Sequence, residues 1–382
     1  MGTATPHWDV IVAGLGAMGS ATLHQLAHRG LKVLGIDRYA PPHDHGSSHG
    51  RSRIIREAYF EDPRYVPLVQ RAYQCWRAIE LESGMSIFRQ TGGLMLGSRD
   101  STVVRGARHS AELHGLAHEV LTADEVRHRY PAFHLRDDDV GILEPRAGML
   151  DPELAISTCI DLALVHGAEL RTGEAVRAWR AVASGIEVET EHGRHHADRL
   201  VLTVGAWTGA MCPGLSLPLV VQRNLLYWFD PVRDHAAFAP ARFPVFIHEL
   251  SADLTWYGFP DTGDGVKLAL HHHGVPADPD TLQRTVTDAE VAFMREVVAA
   301  YMPDANGALR DTAACMYTNL PDSHFLIDTH PQHAGVIVAS PCSGHGFKFA
   351  SAIGEVLADM ATGQPVAFDT SLFSLDRFRA PA

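Results

Sequence analysis

Residues 9–13 form a short apolar run that breaks at Gly14. Residues 18–29 then carry apolar side chains at helical spacing (Leu23, Leu26, Ala27), and residues 32–37 are apolar again. This order predicts a strand, a glycine turn, a helix and a second strand, the unit that binds dinucleotides. Residues 41–50 lack periodicity and are rich in Pro, His, Gly and Ser, which marks a loop. Val66, Val69, Tyr73 and Trp76 form one stripe of a helix over residues 63–82. Thr122 with Glu125, and Thr287 with Glu290, read as capping boxes. Asp151-Pro152 is an N-cap followed by proline at the first helical position, and that helix stops at Gly167. Strands are predicted at about residues 168–171, 185–191, 200–204 and 335–339. Between residues 218 and 270 apolar and polar positions alternate among prolines and glycines, which predicts antiparallel sheet. Residues 346–360 read as a last buried helix through Phe349, Ile353, Val356, Leu357 and Met360.

These elements predict an α/β fold with a discontinuous dinucleotide-binding domain made of residues 1–85, 147–215 and 320–382. A mixed, largely antiparallel domain is inserted as residues 86–146 and 216–319. The net charge of −13 argues against nucleic acid or an anionic membrane as partner. It leaves room for an anionic small molecule opposed by a local arginine and lysine cluster. Five cysteines without CxxC spacing read as reduced thiols. No basic region precedes an apolar run at the N-terminus, and no segment reaches the roughly 20 apolar residues of a membrane span. Pro6 breaks the myristoylation pattern, and Ala-Pro-Ala is not a peroxisomal ending. The expectation is a cytoplasmic enzyme without a metal.

The loop Gly14-Leu15-Gly16-Ala17-Met18-Gly19 lets the backbone approach a pyrophosphate at a helix N-terminus. Asp37 ends the second strand near the spacing expected for a ribose-binding acid. This pattern does not separate FAD from NAD. FAD is favoured because the rest of the chain holds no second complete nucleotide fold. The strand ending at Val204 runs into Gly205-Ala206-Trp207, and the one ending at Ser340 leads to Ser343-Gly344-His345-Gly346. Both turns could return the chain to the cofactor. The helix opened by the second would set positive potential where a reduced flavin needs it.

The chain resembles the monomeric sarcosine oxidase and N-methyltryptophan oxidase group of flavoenzymes nearly end to end. The matching segments are residues 9–19 and 41–59, Gly205-Ala206-Trp207, Tyr257-Gly258-Phe259-Pro260, Val266-Lys267-Leu268, residues 315–328 and 343–351, and the tail 373–377. The resemblance implies a glutathione-reductase-like FAD domain with an inserted substrate domain. Cys315, in Cys-Met-Tyr-Thr, stands where the family joins cysteine to the flavin 8α carbon. Arg56 and Lys348 match the cations that hold a substrate carboxylate, with an arginine fork and a lysine point charge. Arg53 matches a flavin-proximal arginine, and Lys267 the lysine that activates oxygen. His271, Tyr257 and Tyr317 match side chains of the substrate cavity, with Ile247 and Gly344 beside them. Arg38, His49, Ser52, Val176, Trp207, Gly205, Gly346 and Phe347 join the glycine loop as implied cofactor contacts.

The sequence departs from the family at Arg51, in place of an acidic residue, and at Glu57, in place of a histidine. Ser340-Pro341-Cys342 and Ile247-His248 are also atypical. The implied activity is oxidation of a secondary amino acid, such as an N-methyl or cyclic imino acid, to an imine, with O2 reduced to H2O2. Two alternatives stay open: a biosynthetic oxidase turning a cyclic amine carboxylate into an aromatic product, and a flavoprotein dehydrogenase without oxidase turnover. The implied partners are the small substrate and O2, with the protein a monomer.

Overall fold

His7–Ala13 is buried on both faces beyond its first turn, as its continuous apolar run requires of a parallel strand. It pairs in parallel with Val33–Asp37 on one side and Arg194–Leu202 on the other. Glu169–Thr172 and His333–Ser340 extend this parallel core outward. Val176–Val182, Gly185–Thr190 and Leu326–His330 complete an eight-stranded sheet as antiparallel additions. The computed structural model describes residues 6–378, so residues 1–5 and 379–382 of the outer predicted segments lie outside the described residues. Helices Ala17–His28, Pro152–Val165 and Ala350–Thr362 pack together, and Val66–Ser83 joins them in one apolar core.

A second sheet has nine strands. Val220–Phe229 lies near one edge of it, between Leu309–Asn319 and Val266–His271, both antiparallel to it. Leu254–Phe259 and Val245–Ser251 follow, also antiparallel. Val245–Ser251 then pairs in parallel with Gly93–Ser98, which begins the earlier stretch of chain in this sheet.

Both predicted capping boxes are formed, and the Asp151 side chain accepts from Leu154 N at 2.9 Å. Three elements differ from the sequence pattern. The stretch 347–349 is a 3₁₀ turn, closed by Phe349 N donating to Gly346 O, and the α-helix proper is Ala350–Thr362. Val176–Val182 is a strand whose partly buried side chains fall at every third position, which hides its alternation. A register irregularity after Val176 accompanies that spacing. Arg53–Ile55, Gly148–Leu150 and Phe88–Gln90 form a small sheet too short to show in periodicity.

Candidate active site

Ala13, Asp37, Leu202 and Ser340 all end their strands at one edge of the parallel core. Ligands of doubly wound sheets bind outside such carboxyl ends. A cavity of about 420 Å³ opens there and runs to the second sheet, a size within the range of small-molecule sites. Gly14, with φ +87°, must be glycine, because a Cβ would lie 2.6 Å from Thr203 O. Gly16, Ala17 and Met18 line the cavity, and Gly16 leaves the helix N-terminus without a side-chain cap. Ala17 N donates to Ser48 Oγ at 3.3 Å, a weak partner at the cavity wall, and a helix N-terminus held this lightly fits a pyrophosphate. Gly19 does not line the cavity; a Cβ there would meet Gly14 O at 1.7 Å, so it holds helix against loop.

Asp37 lines the cavity and accepts from Leu15 N at 2.6 Å and Tyr39 N at 2.8 Å. Arg38 and Trp207 are both on the wall and both reach Asp280, at 2.6 and 3.0 Å. Val176, Gly205, Gly346 and Phe347 also face the space. The residues present therefore fit a flavin dinucleotide along the whole length of the cavity.

Toward the second sheet lies a cationic region. Cys315 sits in Leu309–Asn319, with Arg53 Nη2 at 3.8 Å and Ser47 O at 3.5 Å from Sγ. Burial would push this thiol up, yet His49, Arg53 and Lys267 together hold it at about 7. Arg53 is anchored by Ser52 O and Ser47 O at 2.8 Å each. Ser52 is on the cavity wall, whereas His49 and Lys267 stand behind it. Lys267 Nζ donates to Gly50 O at 2.7 Å and to Ser52 O at 2.8 Å, so it pins the 50–52 loop from inside. Glu153 pins the same loop from outside by accepting from Gly50 N at 2.7 Å. Burial, and Arg53 after it, drive the Lys267 ammonium well below its ordinary range.

Arg56 is 1% exposed; its Nη2 donates to both Glu61 oxygens at 2.6 and 2.8 Å and its Nη1 to Ala58 O at 3.0 Å, while its Nε has no partner. Lys348 Nζ donates to His345 O at 2.6 Å. Burial first and Arg56 second lower it to about 7. Tyr257, Tyr317 and His271 form a chain of hydroxyl and ring contacts at 3.4 and 3.5 Å. His271 is held well below its usual range by burial and by His272, which makes it a neutral imidazole. Gly344, with φ +75°, lets the backbone pass Tyr317, whose ring would be 2.7 Å from a Cβ. Ile247 lines the cavity, but His248 points to the opposite face of its strand, toward Asp139 at 3.6 Å.

Glu61, Ser47, Ser48, Glu153 and Asp280 were not legible in the pattern. Each acts across a loop rather than along an element, and Glu61 five residues after Arg56 follows no helical or strand period. Of the atypical positions, Arg51 is exposed, paired with Asp311 and stacked on Trp228 at 4.6 Å. Glu57 is buried and 3.5 Å from Arg146, away from the cavity. Pro341 and Cys342 do line it.

The sequence profile of FAD-dependent oxidoreductases matches residues 9–360. The monomeric sarcosine oxidase of Streptomyces avermitilis is 40% identical over 98% of this chain and 99% of its own. The N-methyl-L-tryptophan oxidase of Yersinia pestis is 36% identical over 97% of this chain and 100% of its own. The structure of NikD, an unusual amino acid oxidase essential for nikkomycin biosynthesis, superposes with a TM-score of 0.85 at 24% identity, covering 97% of this chain and 98% of that one. The last likeness shows the fold; with the profile and the two sequence relatives, it establishes that this chain belongs to the FAD-dependent oxidoreductase family.

Proposed function

We propose that this protein is an FAD-dependent oxidase of secondary amino acids, N-methyl or cyclic, with the flavin joined to Cys315. One observation carries the reading. A single cavity connects the glycine loop to a buried cationic end lined by Arg53, Arg56 and Lys348, with the Cys315 thiol 3.8 Å from Arg53. When bound, the flavin supplies the redox chemistry: it takes two electrons from the substrate C–N bond and passes them to O2, giving H2O2.

The chain's own residues bind, orient and tune. Gly14, Gly16, Ala17 and Met18 cradle the pyrophosphate, and Asp37 takes the ribose. Arg38, Val176, Gly205 and Trp207 wall the nucleotide, and Ser52, Arg53, Gly344, Gly346 and Phe347 the flavin end. Arg56 exchanges Glu61 for the substrate carboxylate, and Lys348 adds a second cation. Tyr257, Tyr317 and Ile247 shape the space for the side chain. Neutral His271 resists protonation, so its ring can accept or donate a hydrogen bond to a substrate that arrives as the unprotonated amine. His49 tunes Cys315 from behind the wall, and Lys267 stabilises the negative charge that appears on oxygen. The two-sheet architecture supports a flavin domain of residues 1–85, 147–215 and 320–382 and a substrate domain of residues 86–146 and 216–319. Among the described residues no helix is long and apolar enough to cross a membrane. The reading includes a cytoplasmic monomer; its free cysteines suit a reducing compartment.

A peroxide-coupled screen of N-methyl and cyclic amino acids against the purified chain tests the function. Turnover with stoichiometric H2O2 is expected. Substrate oxidation that requires an artificial electron acceptor, with none by O2, would instead identify a dehydrogenase.

Two predictions concern the cation pair. Losing one partner of a charge-assisted hydrogen bond costs about 1.5–3 kcal/mol, or roughly ten- to a hundredfold in affinity. Arg56→Ala and Lys348→Ala should therefore weaken amino acids by that factor and their amides far less. Equal losses would show that these residues serve the fold or the flavin. The second concerns pH. Lys348 keeps its proton only below about 7 in the free site. Binding of an inert carboxylate inhibitor should weaken as pH rises through that region, and Lys348→Arg should abolish the dependence. A pH-independent wild type would remove Lys348 from carboxylate binding.

A further inference from the structure

Away from the cavity, three helices bring three imidazoles and a carboxylate together. His24 and His28 are one turn apart on Ala17–His28 and share a face. Glu82 lies in the last turn of Val66–Ser83, and His166 is the C-cap of Pro152–Val165. Donor atoms of all four lie within 4.8 Å of one another. Glu82 Oε1 is 2.7 Å from His166 Nε2 and 3.8 Å from His28 Nδ1, and Glu82 Oε2 is 3.4 Å from His24 Nε2. His28 Nδ1 and His166 Nε2 are 3.2 Å apart.

Protons alone do not satisfy this arrangement. His166 Nε2 carries at most one proton and faces both Glu82 and His28. His24 is only 3% exposed, and neither of its ring nitrogens has a hydrogen-bond partner. Its Nε2 nevertheless faces the common centre, close to Glu82.

We propose that His24, His28, Glu82 and His166 form a closed binding site for a divalent transition-metal ion, zinc above all. Four ligands at 2.0–2.2 Å in a tetrahedron stand roughly 3.3 Å apart. The separations of 2.7, 3.2 and 3.8 Å among Glu82 Oε1, His28 Nδ1 and His166 Nε2 bracket that value, and with every donor within 4.8 Å of the others, side-chain rotation draws His24 into the fourth corner. Imidazole suits zinc. Three nitrogens and one oxygen fill the tetrahedron, as in structural sites, which leave no open position. His28 is exposed and gives the ion a path in, while His24 forms the floor. The bound ion would tie together three helices that pack on one face of the parallel core. The sequence pattern led to the expectation of no metal because only His24 and His28 are spaced as a pair; Glu82 and His166 come from distant segments.

The test uses untagged full-length holoenzyme, stripped with chelator and then given zinc chloride. About one zinc per chain should survive gel filtration. The unfolding midpoint should rise by about 3 °C when free zinc is a hundredfold above its dissociation constant. Cobalt(II) should give the visible bands of a four-coordinate ion in difference spectra. The double variant His28→Ala/His166→Ala should lose the retained zinc, the shift and the bands, with its flavin absorbance unchanged. If the double variant does not fold, His28→Gln on the helix surface makes the same comparison. Wild type that retains no zinc, or variant and wild type that retain it equally, would overturn the proposal. Equal retention would point to another cluster, such as His271-His272-His273.

Discussion

Replacing Cys315 by serine is expected to send the yellow colour into the supernatant on acid precipitation, while the wild-type pellet stays yellow. A thiolate is the nucleophile that forms such a bond. Burial pushes Cys75 and Cys159 up to about 12 and Cys212 up to about 11, and it raises Cys342 as well. Cys315 is the exception, held at about 7 by the positive groups around it. Near neutral pH it is therefore far more ionised than the other four thiols. Cys342 also lines the cavity and supplies an internal control: Cys342→Ser should leave the colour in the pellet. Free flavin from the wild type, or a yellow Cys315→Ser pellet, would place the linkage elsewhere or nowhere.

Lys267→Gln should slow reoxidation of the reduced enzyme by O2 by orders of magnitude in stopped flow. Anaerobic reduction by substrate should slow much less. The glutamine amide, one bond shorter, removes the charge while leaving an N–H donor directed at the 50–52 loop. A buried ammonium with no paired carboxylate is costly before negative charge arrives and well placed once it does. The same geometry fixes the sign of a pH effect. Because burial depresses this lysine, its proton is lost as pH rises, and reoxidation should slow in step. Reduction that collapses while reoxidation is untouched would instead group Lys267 with the substrate-binding cations.

The sequence made the nucleotide end of this site legible and the cationic end much less so. Gly14 to Gly19 and Asp37 follow from spacing, because one continuous strand–turn–helix–strand unit holds them all. Cys315 and Lys267 sit in apolar strands, where periodicity sees only buried positions; resemblance alone singled them out. Glu61 was missed because its bond to Arg56 is made by a loop closing on itself. The small sheet through Arg53–Ile55 was missed because strands of three residues have no measurable period. The imidazole cluster was missed because packing, not sequence, joins residues 24, 28, 82 and 166.

The parallel core has a consequence for how the protein is made. Arg194–Leu202 is paired along residues 200–202 by His333–Ser340, and Ala350–Thr362 packs on Ala17–His28. Two walls of the cavity, residues 339–342 and 344–348, thus belong to the final stretch of the parallel core. A ribosome must translate past residue 362 before the glycine loop, ready some 340 residues earlier, meets the strand and helix that close it. Contacts so distant in sequence form slowly and leave the early segments exposed meanwhile. The cavity is therefore complete only once the last α-helix has been made, and the glycine loop stays unclosed until then.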